Sequence, residues 1–127
     1  MPVLSCATGA IGLWVVAAVF ALLARQIRND ALPRNHLVGI RTRATLRSDA
    51  AWQAGHRAAE PLTRRTAQVA AAAGALTVLV AAGLEWAGVA ESAAVPVTLA
   101  VLGLGYAVFL VLTLRLAVLA HRAARAA

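Results

Sequence analysis

The chain has 127 residues, 61% of them apolar and only 13% charged, with a net charge of +7. That length holds one domain, and the apolar share exceeds the roughly 45–50% of soluble domains, which excludes an ordinary water-soluble core. Cys6 is the only cysteine, which excludes an intrachain disulfide and a multi-cysteine metal site.

The basic residues are all Arg, which, with the heavy use of Ala and Val, reads as the signature of a GC-rich genome. Most of them fall between residues 25 and 65, flanked by apolar runs. That is the charge pattern of a membrane protein's cytoplasmic loop, so no direct binding of nucleic acid is expected.

The first predicted element is a span over about 3–24. The run Met1 to Ala24 carries no charge, with Arg25 and Arg28 at its inner end. At ~1.5 Å per residue it can cross a ~30 Å hydrocarbon core. A signal peptide would place its charge before the apolar run, not after it. Val3-Leu4-Ser5-Cys6 faintly resembles a lipoprotein cleavage box, but no charged or apolar segment precedes it, and cleavage is not expected.

Pro33 ends the first helix or its extension. Asn35 to Thr42 reads as a turn, with Gly39 supplying a backbone angle other residues resist. Ser48 is a good N-cap, and Asp49 favours the positive end of a helix dipole. A short helix over Asp49 to Glu60 is expected, stopped or kinked at Pro61. Trp52, Gly55, His56 and Ala59 share one face of it. Gly55 costs it about 1 kcal/mol relative to Ala. One reading lays this helix flat in the membrane interface, with Trp52 as anchor and Arg41, Arg43, Arg47 and Arg57 on lipid phosphates. The other gathers Asn35, Arg41, Thr42 and Trp52 into a folded polar cluster beneath the bundle.

A second span is predicted over about 66–84, closed by Glu85 and Trp86. Its helix can begin near Leu62, with Arg64 and Arg65 snorkelling toward headgroups. A third covers about 92–114, closed by Arg115, with Pro96 near its start, where a missing N–H costs little. The short loop 85–91 carries Glu85 and Glu91 and no base, whereas the tail carries Arg115, Arg122 and Arg125. The positive-inside rule therefore puts the N-terminus outside and the C-terminus inside a bacterial cytoplasmic membrane. The expected fold is all-α: one membrane domain over 1–127, with three transmembrane helices, a cytoplasmic motif loop over 25–65 and a short interfacial helix in that loop. Ala70, Gly74, Gly103 and Gly105 permit close helix approach, and so thin a bundle suggests a homo-oligomer.

The loop also carries an ordered motif: Asn35-x-x-x-Gly39-Ile40-Arg41-Thr42-x-x-Thr45-Leu46-x-Ser48-x-x-x-Trp52-x-x-x-His56-Arg57. It resembles the signature of the SdpI family, bacterial membrane proteins named for immunity to a secreted killing peptide. One span, the motif loop and two further spans resemble that family's C-terminal module. Two features depart from the pattern. Arg43 stands where the family often has Pro after the Arg-Thr pair, which makes the turn less rigid. The founding members' extra N-terminal spans have no counterpart here. Those members protect against the toxin and hold a cognate repressor at the membrane, so the resemblance implies part of that role.

Chemistry finds little support. Ser48 and His56 lie about 12 Å apart along one helix, too far for a nucleophile and its base. His56, Glu60 and His36 lack the pattern of a metal site, and a surface ion pair or headgroup contact is the expected role of His56. No hydrolase, Walker or dinucleotide fingerprint occurs, and no ionisable residue lies mid-span to relay ions. The expectation is a non-enzyme without metal or cofactor: an SdpI-like immunity protein against an antimicrobial peptide, with signalling through a recruited regulator. Asn35, Gly39, Arg41, Thr42, Thr45, Ser48, Trp52, His56 and Arg57 are its candidate motif and partner-binding residues. Arg41 would offer a forked donor and Thr42 a local backbone hydrogen bond. The expected partners are membrane lipids, a toxin peptide and a cytoplasmic regulator. The alternative is a small structural or assembly subunit of a larger membrane complex.

Overall fold

The computed structural model describes residues 2–127, apart from the side chains of Pro2 and Leu4. Every regular element among them is helical: α1 (Pro2–Ala7), α2 (Gly9–Arg28), a 3₁₀ turn (Thr45–Arg47), α3 (Asp49–Trp86) and α4 (Glu91–Arg125). A tight turn at Thr8 separates α1 from α2, with the Thr8 N–H donating to Ser5 O and the Ile11 N–H to Thr8 O. Ser5–Arg28, α3 and α4 are each long and apolar enough to cross a membrane.

Two chain reversals use the same C-terminal cap. At the end of α2 the Ala31 N–H reaches Gln26 O and the Asp30 N–H reaches Ile27 O, with Asp30 at φ 52°. At the end of α3 the Val89 N–H reaches Leu84 O and the Gly88 N–H reaches Glu85 O, with Gly88 at φ 67°. Both are Schellman motifs, which satisfy orphan carbonyls by a left-handed residue just past the helix. Gly fills that position without strain, and Asp tolerates it.

The central helix is α3, with α2 and α4 packed against it. Its buried stripe is built from small residues, among them Ala67, Ala70, Gly74, Thr77 and Ala81. Small residues let backbones approach where no hydrophobic effect drives helices together. The Trp14 ring covers Gly74, and its indole N–H donates to Ala71 O at 3.2 Å. The Tyr106 hydroxyl donates to Gly9 O at 2.8 Å, and Phe20 meets Phe109 edge-on at 5.2 Å. Buried Thr63, Thr77 and Thr98 each donate to the carbonyl four residues earlier, so no hydroxyl there goes unbonded. Ile11, Val15, Leu22, Leu79, Leu104 and Leu110 face outward and are more than half exposed. Apolar surface in such a belt needs a lipid solvent.

The short interfacial helix expected over Asp49–Glu60 is not a separate element. Those residues form the first third of α3, which runs unbroken through Pro61. Pro61 removes one backbone N–H and would ordinarily break a helix. Here it lies on the exposed face, while Ala59, Thr63 and Thr66 on the opposite face are buried. That packing, rather than local propensity, keeps the helix continuous.

Candidate functional site: a folded cap at the arginine-rich end

The loop between α2 and α3 folds back on the first turns of α3 as a cap. Ser48, in extended conformation, is the N-cap of α3, and its side chain accepts the Ala51 N–H at 3.0 Å. This fixes where α3 starts, and thereby places Trp52 and His56 one turn apart, on the face turned toward the loop. Both rings are buried, at 0% and 2% exposure. They stack with centroids 4.1 Å apart and planes tilted by 33°.

Three hydrogen bonds tie the rings to the backbone. The Trp52 indole N–H donates to Leu32 O at 2.9 Å. The Ile40 N–H donates to His56 Nε2 at 2.8 Å. An amide N–H can only donate, so Nε2 carries no proton. Nδ1 of the neutral ring is then the donor to Trp52 O, at 2.8 Å. His56 precedes the apolar stretch 66–84. Burial lowers its pKa below the ordinary 6.5, and the bond to the Trp52 carbonyl pulls weakly the other way.

Gly39 crosses directly over this ring pair at φ 121°. A Cβ there would lie 2.8 Å from both His56 Nε2 and Trp52 Cη2. Thr45 bonds the other side of the loop: its hydroxyl accepts the Thr42 N–H at 2.8 Å and donates to Ile40 O at 2.8 Å. Thr42 returns the contact by accepting the Thr45 N–H at 3.2 Å. Asn35 folds its own turn, accepting the Leu37 and Val38 N–H groups at 2.8 and 2.7 Å and donating to Pro33 O.

Asn35, Gly39, Thr42, Thr45, Ser48, Trp52 and His56 thus hold the cap together. The other two candidate residues face outward. Arg57 pairs with Asp30 at 3.0 Å. Arg41 is exposed and makes no hydrogen bond or ion pair with another described residue. Two expected roles change accordingly. Trp52 is a core residue and not a lipid-facing anchor, because α3 turns its ring under the loop. His56 is a buried hydrogen-bond acceptor, not a surface ion pair or headgroup contact.

Other residues outside the predicted set also hold the cap. Arg34 binds Asp49 at 2.9 Å and Leu46 O at 3.1 Å. Arg47 donates to Ala124 O and Ala127 O, at 3.2 and 3.0 Å, at the carbonyl end of α4, where a cation also favours the helix dipole. Arg28 lies 3.8 Å from Glu60. At Gly55 a Cβ would sit 2.8 Å from Ala120 O and 2.9 Å from Thr45 Cγ2, so this glycine lets α3, α4 and the 3₁₀ turn meet. Of these, Gly55 had a sequence signal: a helix breaker on the same face as Trp52 and His56. Among the described residues no group of three or more His, Cys, Asp or Glu is placed to hold a metal.

The arrangement is a bonded scaffold around two aromatic rings, with free guanidinium groups on its outside. A family model, the SdpI/YfhL protein family, matches residues 31–114, from the foot of the cap to the end of the third apolar run. The chain belongs to the SdpI/YfhL family. Neither curated proteins nor solved structures give a significant match. With its three apolar helices, membership of the SdpI/YfhL family makes this a multi-pass membrane protein.

Proposed function

We propose that this SdpI/YfhL-family protein confers immunity to a secreted antimicrobial peptide at the bacterial cytoplasmic membrane, and that its cap signals by recruiting a cytoplasmic regulator. The observation that carries the reading is the cap itself. The motif folds into one bonded unit, and the residues not needed for that fold, Arg41 and Arg43, are left exposed without partners among the described residues. A loop that served only to connect two spans would not need so many fixed contacts.

The charge pattern supports a cytoplasmic cap. By the helix order, every Arg lies at the cap end, and the opposite turn holds Glu85 and Glu91. The positive-inside rule then places the N-terminus outside and the C-terminus inside. The chemistry is binding, not catalysis.

The test is survival. Wild type and Arg41→Ala, at matched membrane levels in a sensitive bacterium, are challenged with killing peptides from neighbouring strains. Wild type is expected to protect and Arg41→Ala to lose protection. If well-inserted wild type protects against none of the peptides, the immunity reading fails and the search turns to a stable partner in a larger complex.

A further inference from the structure

A cleft of about 440 Å³ opens between α2 and α4 at the cap end. Val19, Phe20 and Leu23 form one wall, Thr113, Leu116 and Ala117 the other, and loop residues 37–42 close it below. Its size is that of a small-ligand site. Its depth is fixed by the sequence: Leu23 is followed by Arg25 and Arg28, and Arg115 stands between Thr113 and Leu116. The cleft therefore lies where the hydrocarbon core gives way to headgroups.

Three features point to its occupant. The walls are apolar. The loop thrusts Leu37, 89% exposed, and Val38, 47% exposed, outward beside the opening. Arg41 lies at its edge without a counterion among the described residues: the acidic side chains of this end, Asp30, Asp49 and Glu60, lie against Arg57, Arg34 and Arg28. We propose that this cleft binds one anionic phospholipid, its upper acyl chain against Phe20, Leu23 and Leu116 and its phosphate on the Arg41 guanidinium. Arg forms forked hydrogen bonds to phosphate oxygens, and the bond is stronger for an anionic group. A cationic peptide would meet repulsion there, and a second copy of the chain would bring its own unpaired arginines to the same depth. The inference does not depend on the immunity reading.

The test is native mass spectrometry of the full-length protein in detergent, titrated with palmitoyl-oleoyl phosphatidylglycerol or with the matching phosphatidylcholine. Wild type is expected to retain one phosphatidylglycerol, with a preference over phosphatidylcholine of about fivefold or more. Arg41→Ala should reduce that preference to near unity. Ala117→Phe, which fills the cleft, should weaken retention of both lipids. Arg125→Ala, on the exposed tail, should behave as wild type, and protection of the Ile40 amide from exchange verifies that each variant keeps its cap. An undiminished preference in Arg41→Ala overturns the proposal. So does wild-type retention by Ala117→Phe, which would mean headgroup attraction without a cleft. A dimer that Ala117→Phe dissolves would assign the cleft to a second copy instead.

Discussion

Replacing Gly39 by Ala tests the cap at its tightest point. The backbone there has φ 121°, outside the small left-handed region that non-glycine residues visit. Holding Ala in such a region costs about 1–3 kcal/mol. The added methyl would also lie 2.8–2.9 Å from three ring atoms of His56 and Trp52, where carbon contacts are ordinarily ~3.5–4.0 Å. Both rings are buried and stacked, so the loop must recede by roughly 0.7 Å to restore normal contact. That stretches the 2.8 Å bond from the Ile40 N–H to His56 Nε2 to about 3.5 Å, beyond hydrogen-bonding range. Leaving a buried donor and acceptor unpaired costs a further ~1–3 kcal/mol. The sum is about 2–6 kcal/mol, with the upper part limited by the free energy at which the loop opens locally. Amide exchange of Ile40 in detergent micelles is the assay. Its protection should fall by a factor of about 30 or more, since ~1.4 kcal/mol is tenfold. Adding His56→Ala makes room for the methyl, so the two changes together should cost less than their sum. Wild-type protection of Ile40 in Gly39→Ala would refute this account of the cap.

The cap should loosen in acid. His56 is held neutral with its pKa below 6.5, so the unfolded chain binds the extra proton first, and the stability the neutral ring contributes is lost as pH falls below about 6.5 and levels off once the folded pKa is passed. Ile40 exchange, corrected for its intrinsic pH dependence, should show that rise, and His56→Gln should abolish it. Gly55→Ala should lower the thermal midpoint, because a methyl 2.8 Å from the Ala120 carbonyl overpacks the α3–α4 contact by about 1–3 kcal/mol against ~1 kcal/mol gained in helix propensity. Gly83→Ala, with nothing within 4 Å of its Cβ, should leave the midpoint unchanged or raise it. Ser48→Ala should cost ~0.5–2 kcal/mol, read as faster exchange of the Ala51 amide, with the membrane-spanning part of α3 unaffected.

What the sequence discloses here is what short-range physics decides. Charge-free runs of bilayer length mark the three spans, and Ser48 followed by Asp49 marks the start of α3, because a cap is made by its neighbours. The continuity of α3 through Pro61 is not legible, since it depends on burial of Ala59, Thr63 and Thr66 against other helices. The environment of Trp52 is also hidden: Trp beside arginines reads equally well as a lipid-facing anchor or a core residue, and the choice rests on Leu32 and Gly39 returning to it from across the loop. Arg47 is the extreme case, since its partners at Ala124 and Ala127 are remote in the chain. The motif lists the residues of the cap without saying that Thr42 pairs with Thr45, or His56 with Ile40 and Trp52.

The unbroken length of α3 makes it a lever. Its 38 residues span about 57 Å at ~1.5 Å per residue, nearly twice the ~30 Å hydrocarbon thickness. One end carries the ring pair of the cap, and the other emerges at Trp86 on the far side. A tilt of about 5° around the midpoint moves each end by about 2.5 Å, from the same rise. The cap's bonds to the loop survive only within the few tenths of an ångström that hydrogen bonds allow. A displacement imposed at the far surface is therefore delivered undiminished to Trp52 and His56, through a single rigid element and without any chain of intervening side chains.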